Sequence, residues 1–302
     1  MASVTNIRHP FHAGAFYEES ASSCRHHATR LLEAATVPPS APAEARGGLT
    51  PHAGWVYSGA LAALTFKTLA GAQPMAGGDG GGTFILLGAD HRGRAAAGEV
   101  FHSGVWISPL GQIGIDDELS AALLEAPGAP ALLRANPHAH DQEHSLEVQV
   151  PFIQVLCPRA RIVPIAVPPS PQAVDIGRLI GGVMAAFPNS CIVGSTDLTH
   201  YGGHFGSPHG RGAVGERWAR QNDQRMLQRI EAMDAEGALA EADEHANACG
   251  SGAVAAAIAA CSALGASKGF CLEYTNSYEV VHRKYPDYED ETTVGYASVV
   301  FA

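Results

Sequence analysis

No stretch of these 302 residues is long and apolar enough to cross a bilayer as a helix. The longest apolar run, Ala253 to Ala260, falls far short of the roughly 20 residues such a span requires. The opening MASVTNIRHPFHAG has no apolar core of the kind a secretion signal carries. Basic runs are missing as well: 19 Lys and Arg stand against 30 Asp and Glu, a formal charge of -11. That balance argues against nucleic acid and anionic membranes as partners. The six cysteines include no CxxC pair, so reduced thiols in a cytoplasm are expected rather than a disulfide frame. There is no GxSxG elbow, no Walker loop and no Rossmann glycine fingerprint. The clustered acids of a magnesium phosphatase are absent too. Charged residues are only 16% and apolar residues 46%, which describes a globular chain and not a disordered one.

Histidine, in contrast, is abundant, with 15 copies. Titration near neutrality and metal ligation are the uses such an excess suggests. Short apolar strands alternate with helical stretches along the chain. Strands are expected at 48–50, 83–87, 161–167, 191–194, 269–275 and 293–301. Helices are expected at 20–35, 58–69, 143–156, 171–186, 213–231, 235–246 and 251–264. Ser20 and Asp116 read as N-caps. Residues 71–82 and 201–212 read as glycine-rich loops, and His138–Asp141 as a solvated lid. The alternation predicts one α/β domain over residues 1–302, with a largely parallel central sheet flanked by helices.

Three strands hand polar residues to one edge. Gly48-Leu49-Thr50 runs through Pro51 into His52. Thr83–Leu87 ends in Gly88-Ala89-Asp90-His91. Cys191–Gly194 ends in Ser195-Thr196-Asp197-Leu198-Thr199-His200. Open α/β sheets bind their ligands at the carboxyl edge. Cys249, in NACGSG ahead of the Ala253–Ala260 helix, stands where a helix dipole lowers a thiol pKa. Two imidazoles and a thiolate suit Fe(II), Zn(II) or copper and leave positions open for catalysis. The alternative for each is a satisfied core histidine, a surface histidine and a small buried cysteine. Asp197 is placed to hold the ring of His200, to be a fourth contact of the metal, or to cap a turn, and His200 is a candidate general base. Glu143 and His144 open the expected 143–156 helix, where Glu143 and Glu147 would share a face. They read as a pocket wall or as a charged first turn. Trp55 and Tyr57 are placed for stacking or for core packing.

Seven blocks, in order across nearly the whole chain, resemble the MEMO family, called AmmeMemoRadiSam system protein B in bacteria. They are HAGAFY (12–17), PHAGWVYSG (51–59), ILLGADHRG (85–93), EHSLEVQVPF (143–152), VGSTDLTHYG (193–202), NACGSGAV (247–254) and TTVGYAS (292–298). The resemblance implies a fold like that of the class III extradiol dioxygenases, which hold Fe(II) with two histidines and a glutamate. Carried over by position, it implies His52 and His91 as imidazole ligands and Cys249 in place of the carboxylate. It also implies His200 as the acid/base group with Asp197 beside it. The cysteine softens the donor set, and Asp90 and Arg92 alter the charge around His91.

The expected function is therefore a cytoplasmic, mononuclear non-haem iron oxidoreductase, taking a small aromatic substrate and O2. Fe(II) is the expected cofactor, with copper or zinc as alternatives. The second expectation is a MEMO-type protein that binds iron or copper, or docks a peptide, without turnover; a zinc hydrolase is the third. Both a monomer and a homo-oligomer are compatible with the sequence.

Overall fold

The computed structural model describes residues 6–72, 75, 81–206, 210, 212–287 and 292–302. Most of the glycine-rich loop at 71–82 lies outside the described residues, as do His209 and the side chain of His204. In chain order the strands are β1 (Ile7–Arg8), β2 (Gly47–Thr50), β3 (Thr83–Gly88), β4 (Gly98–Val100), β5 (Val105–Ser108), β6 (Gly111–Gly114), β7 (Leu133–Ala135), β8 (Arg161–Ala166), β9 (Ser190–Ser195), β10 (His200–Gly202), β11 (Gly269–Asn276) and β12 (Thr292–Phe301). The helices are α1 (Ala21–Ala34), α2 (Trp55–Gly71), α3 (Asp117–Glu125), α4 (Ala129–Leu132), α5 (Val150–Leu156), α6 (Gln172–Met184), α7 (Gly212–Glu231), α8 (Ala235–His245), α9 (Ser251–Ala263) and α10 (Ser277–Lys284).

A nine-stranded sheet organises the chain, in the order β10-β12-β2-β9-β3-β8-β4-β7, with β11 also paired to β12. Its centre is parallel: β2 pairs β9, β9 pairs β3, and β3 pairs β8. The flanking β12 and β4 join antiparallel. Parallel strands covered on both faces read as unbroken apolar runs, and TFILLG of β3 is buried at every position. A small separate sheet joins β1, β5 and β6. The expected fold class, a single α/β domain with helices about a largely parallel sheet, is the one found.

One face of the sheet packs against α6 and α9, the other against α1, α2 and α5. Helix α9 is apolar all round, which only full burial tolerates, and every residue from Gly252 to Ala260 is buried. Gly177 and Gly181 of α6 allow the closest approach: a Cβ there would lie 2.3 and 2.5 Å from the carbonyl oxygens of Ala256 and Ala260. The expected caps are present, with Ser20 accepting from Ser23 N–H and Asp116 from Leu119 N–H.

The register sets the site. Thr50 is level with Ser195, and Leu87 with Gly194, so β2, β9 and β3 end together at their carboxyl edge. The segments carrying His52, His91 and Asp197 all leave from that line.

The expected 143–156 helix is not continuous. Glu143 and His144 are irregular, Ser145–Leu146 is a turn, Glu147–Gln149 a single 3-10 turn, and α5 begins only at Val150. Glu143 bends its carboxylate back to the Ser145 N–H at 2.9 Å, and such local bonding competes with helix formation. Pro151 fits the first helical turn and no later position. The two glutamates therefore face apart. Glu147 is buried against Arg8, 2.9 Å from Nη2, and accepts from the Phe11 and His12 N–H groups and from Tyr17 Oη–H. Arg8 also donates to the His140 and Glu143 carbonyls and lies over Trp106. This cluster ties residues 8–17 to the body of the protein.

Breaking a buried pair strands the remaining charge, at a cost of about 3–5 kcal/mol. Glu147→Ala is expected to lower stability by about that amount. The urea midpoint of unfolding measures it, and a shift under about 1 kcal/mol would show the cluster to be dispensable.

Candidate metal site

His52 leaves β2 through Pro51, and its turn is held from beneath. Asp197 Oδ1 accepts from the backbone N–H of His52 at 2.7 Å and of Ala53 at 3.3 Å. The His52 ring is buried, with Nδ1 2.9 Å from Ser195 Oγ and Nε2 3.1 Å from Cys249 Sγ. His91, after β3, is held by Glu143: the carboxylate accepts from its backbone N–H and from Nδ1, each at 2.9 Å. His144 stacks on His91, with ring centroids 4.6 Å apart and planes inclined by 18°. The His52 ring stands edge-on to both, 5.1 Å from His91 and 5.2 Å from His144. Among the described residues, the mutually close group that could hold a metal ion is His52, His91 and His144, with one candidate ligand atom of each within 4.8 Å of the others. His91 and His144 are partly open to solvent, which gives a ligand access.

Burial dominates the electrostatics. It pushes the pKa of His52 well below its ordinary value, assisted by the neighbouring His144 and His91. It pushes His144 down to about 4, so this ring is neutral at physiological pH. Burial works against ionised Glu143, but hydrogen bonds and charge from His91, with the Ser145 N–H, outweigh it and hold the carboxyl well below the usual range. Burial likewise opposes charge on His91, and Glu143 reverses the balance, raising its pKa. Asp197 is raised to about 7 by burial, against the two N–H groups it accepts.

The residues singled out from sequence divide as follows. His52 and His91 meet. His144 joins them directly. Glu143 anchors His91. Cys249 reaches His52 but stands outside the mutually close group. Bonds of about 2.1 Å to nitrogen and 2.3 Å to sulfur, meeting at a right angle, span about 3.1 Å. The observed Nε2···Sγ separation thus fits two donors to one ion. The expectation of a lowered thiol pKa is overturned: burial, then the charge of Asp197, raises it. Cys249 precedes the N-cap Gly250 and is half-buried, and the loss of water there outweighs the dipole of α9. Asp197 does not touch the ring of His200; it caps the His52 turn instead. His200 Nδ1 donates to the Leu198 carbonyl at 3.1 Å, and burial lowers its pKa. Trp55 is core, its Nε1–H donating to the Val148 carbonyl, while Tyr57 is exposed.

The profile of the Memo-like protein family matches residues 8–300. The chain belongs to the MEMO family. Similar relatives include a MEMO1 family protein of Methanothermobacter thermautotrophicus, 33% identical over 301 residues, covering 96% of this chain and 99% of the relative. One of Pyrococcus abyssi is 33% identical over 308 residues, covering 97% and 99%. Another, of Thermococcus kodakarensis, is 36% identical over 265 residues, covering 84% and 86%.

Within this MEMO chain the glycines of NACGSG have a packing reason. A Cβ on Gly250 would lie 2.3 Å from the Ser195 carbonyl oxygen, and one on Gly252 2.3 Å from that of Pro168. Their absence lets the Cys249 turn settle on the end of β9. Two contributors have no role that the sequence pattern suggests, Ser195 and Gln149. Both lie inside blocks already singled out, VGSTDLTHYG and EHSLEVQVPF, but nothing local marks their partners. No helix of the described residues is long and apolar enough to cross a membrane.

The His138–Asp141 segment is solvated only in part: His138 is exposed and lies 3.2 Å from Asp141, while Ala139 and His140 are buried. Residues Pro137–His140 form a 3-10 turn, and His140 is buried, its Nε2–H donating to the Glu99 carbonyl at 2.9 Å. Burial and the charge of Arg8 lower its pKa to about 4. A histidine so depressed contributes stability that is complete above its unfolded pKa of about 6.5 and fades as pH falls toward 4. Chemical denaturation from pH 7 to pH 4 is expected to show that loss. His140→Gln, which keeps a donor for Glu99 but cannot titrate, should flatten the slope; an unchanged slope would assign the acid sensitivity elsewhere.

Proposed function

We propose that this chain is a mononuclear non-haem metal protein, with Fe(II) as its metal, acting as a dioxygenase-like oxidoreductase on a small aromatic substrate. One observation carries the proposal: three imidazoles converge, and each has its Nδ1 beside a protein partner. For His52 the partner is Ser195; for His91 and His144 it is Glu143, at 2.9 and 3.5 Å. Metal-binding histidines are oriented in this way, through the nitrogen that does not ligate. When bound, the metal supplies a redox-active Lewis acid.

His52 and His91 would hold it, with His144 or Cys249 as the third donor. Imidazole donors are compatible with iron, copper and zinc, and the thiol beside them tilts the set toward softer metals. His200 serves as the proton acceptor. Its Nδ1–H is spent on the Leu198 carbonyl and burial keeps the ring neutral, so Nε2 keeps a free lone pair. Asp197 fixes the His52 turn. Phe16, 4.7 Å from the His144 ring, adds flat apolar surface suited to an aromatic substrate, and the His12 ring, 5.5 Å from it, adds a polar edge. O2 is the co-substrate, and the cytoplasm the compartment that keeps the thiol reduced.

A second reading rests on the Cys249–His52 contact: a thiol held against an imidazole suits storage or transfer of iron or copper without turnover.

Anaerobic reconstitution with Fe(II), with metal counted per chain, is expected to give one ion. His52→Ala and His91→Ala should abolish binding, and parallel His144→Ala and Cys249→Ala variants identify the third donor. Oxygen uptake with a panel of catechols and aminophenols tests turnover. His200→Ala should keep the metal and lose about 10²–10⁴-fold in rate. An iron-loaded protein that consumes no oxygen with any of them would leave the binding reading alone standing.

A further inference from the structure

We propose that Ser195 and Gln149 are positioning residues that lock His52 in its Nδ1–H form, with the Nε2 lone pair turned toward the ion. The proposal deepens the metal-binding reading and rests on it for its purpose, but the lock itself is a property of the metal-free protein.

A neutral imidazole carries one proton, and its partners decide which nitrogen holds it. The partner of His52 Nδ1 is a hydroxyl, which can donate or accept. Its own hydrogen is already committed: Ser195 Oγ donates to the Ser145 carbonyl at 2.7 Å. A serine has only one hydrogen to give, so toward His52 its oxygen can only accept. Gln149 enforces the choice. Its Nε2 lies 2.9 Å from the Pro51 carbonyl, 3.3 Å from that of Ser145 and 3.3 Å from Ser195 Oγ. Its Oε1 accepts from Thr50 Oγ1 at 3.4 Å. Turning the amide over would press Oε1 against two carbonyl oxygens, so the network fixes its orientation. One Nε2 hydrogen goes to the Pro51 carbonyl and the other is shared between the Ser145 carbonyl and Ser195 Oγ, which leaves a lone pair of that oxygen facing Nδ1–H. Ser145, Gln149 and Ser195 are all fully buried, and no bulk water competes for these bonds.

In the opposite tautomer Nδ1 becomes an acceptor and the network is one donor short: either Nδ1 and Ser195 Oγ face each other with no hydrogen between them, or the hydroxyl turns to Nδ1 and gives up its bond to the Ser145 carbonyl. That tautomer would also aim an N–H at Cys249 Sγ, which already accepts from the Asp197 N–H at 3.3 Å. The sheet supplies the parts. Ser195 ends β9 level with Thr50, which leads through Pro51 into His52, and Gln149 reaches across from the turn before α5.

The test starts with metal-free protein labelled with ¹⁵N-histidine. Long-range proton–nitrogen correlation spectra distinguish the two neutral tautomers. The wild type is expected to show His52 as Nδ1–H alone, and Ser195→Ala to show a mixture or the Nε2–H form. Fe(II) and Zn(II) affinity should fall about 10–100-fold in Ser195→Ala, and Ser195→Thr, which keeps the hydroxyl, should restore both readouts. If Ser195→Ala does not fold, as judged by near-ultraviolet circular dichroism, Gln149→Met carries the test with a smaller change in the same direction. A wild-type His52 in the Nε2–H form overturns the proposal. So does a folded Ser195→Ala protein with unchanged tautomer and affinity. A locked tautomer in a wild type that binds neither ion would sink the metal reading and leave the lock standing.

Discussion

An imidazole has two nitrogens, and a site made of imidazoles is ordered only when one of each pair is spent on the protein. Here the spending is visible: Ser195 takes Nδ1 of His52, Glu143 takes that of His91, and the Leu198 carbonyl takes that of His200. Each acceptor must itself be buried at the edge of an apolar sheet, where an unpaired polar atom is costly. Glu143 meets the requirement by gathering two backbone N–H groups besides the ring of His91. Asp197 meets it by gathering the N–H groups of His52 and Ala53. The two carboxylates belong to the scaffold of the site as much as to its chemistry.

Backbone closeness is the second condition. The turn carrying Cys249 rests on the end of β9 with no room for a side chain at Gly250, and α9 begins against Pro168 with none at Gly252. The apolar α9 is then pinned between the sheet and α6, where Gly177 and Gly181 admit its carbonyls. A helix enclosed on all sides cannot rotate or slide without opening voids in a close-packed core. Cys249, at the head of that helix, is therefore delivered to His52 by packing far from the site. The thiol then bonds into the Asp197 backbone, whose N–H lies 3.3 Å from Sγ and whose carbonyl accepts from the Cys249 N–H at 3.2 Å.

Much of this was legible in the residues themselves. Buried parallel strands leave continuous apolar runs, and β3, β8 and β9 are readable from them. Ser20 and Asp116 cap helices where a short polar side chain precedes a periodic stretch. What failed to be legible depended on partners distant in the chain. Asp197 stands next to His200 in sequence, yet it serves His52, 145 positions away. Leu146, Val150 and Ile153 have helical spacing, but a carboxylate folding back on Ser145 breaks the first turn. His140 sits in a polar-looking stretch and is buried by contacts with Glu99, Phe101 and Trp106. The Cys249 thiol departs from its local expectation for the same reason: a helix dipole is a local feature, and burial by distant segments is not.

The two candidates for the third donor differ in charge more than in position. His144 is neutral, stacked on His91 and partly open to solvent, and would leave a divalent ion its full charge. Cys249 is likewise half-buried, its thiol pKa is raised by burial and by Asp197, and serving as a donor would require it to give up its proton. The surroundings already weigh on this choice. Glu143 places a negative charge against both His91 and His144, while Asp197, whose pKa burial raises to about 7, disfavours a second negative group beside it. An ion held by the three imidazoles is thus balanced by Glu143 without disturbing the thiol. Recruiting Cys249 adds a negative charge on the buried side of the site, and only the ion's own positive charge can offset it. The thiol would therefore become a donor only in the presence of an ion, whereas burial holds His52 and His144 neutral without one.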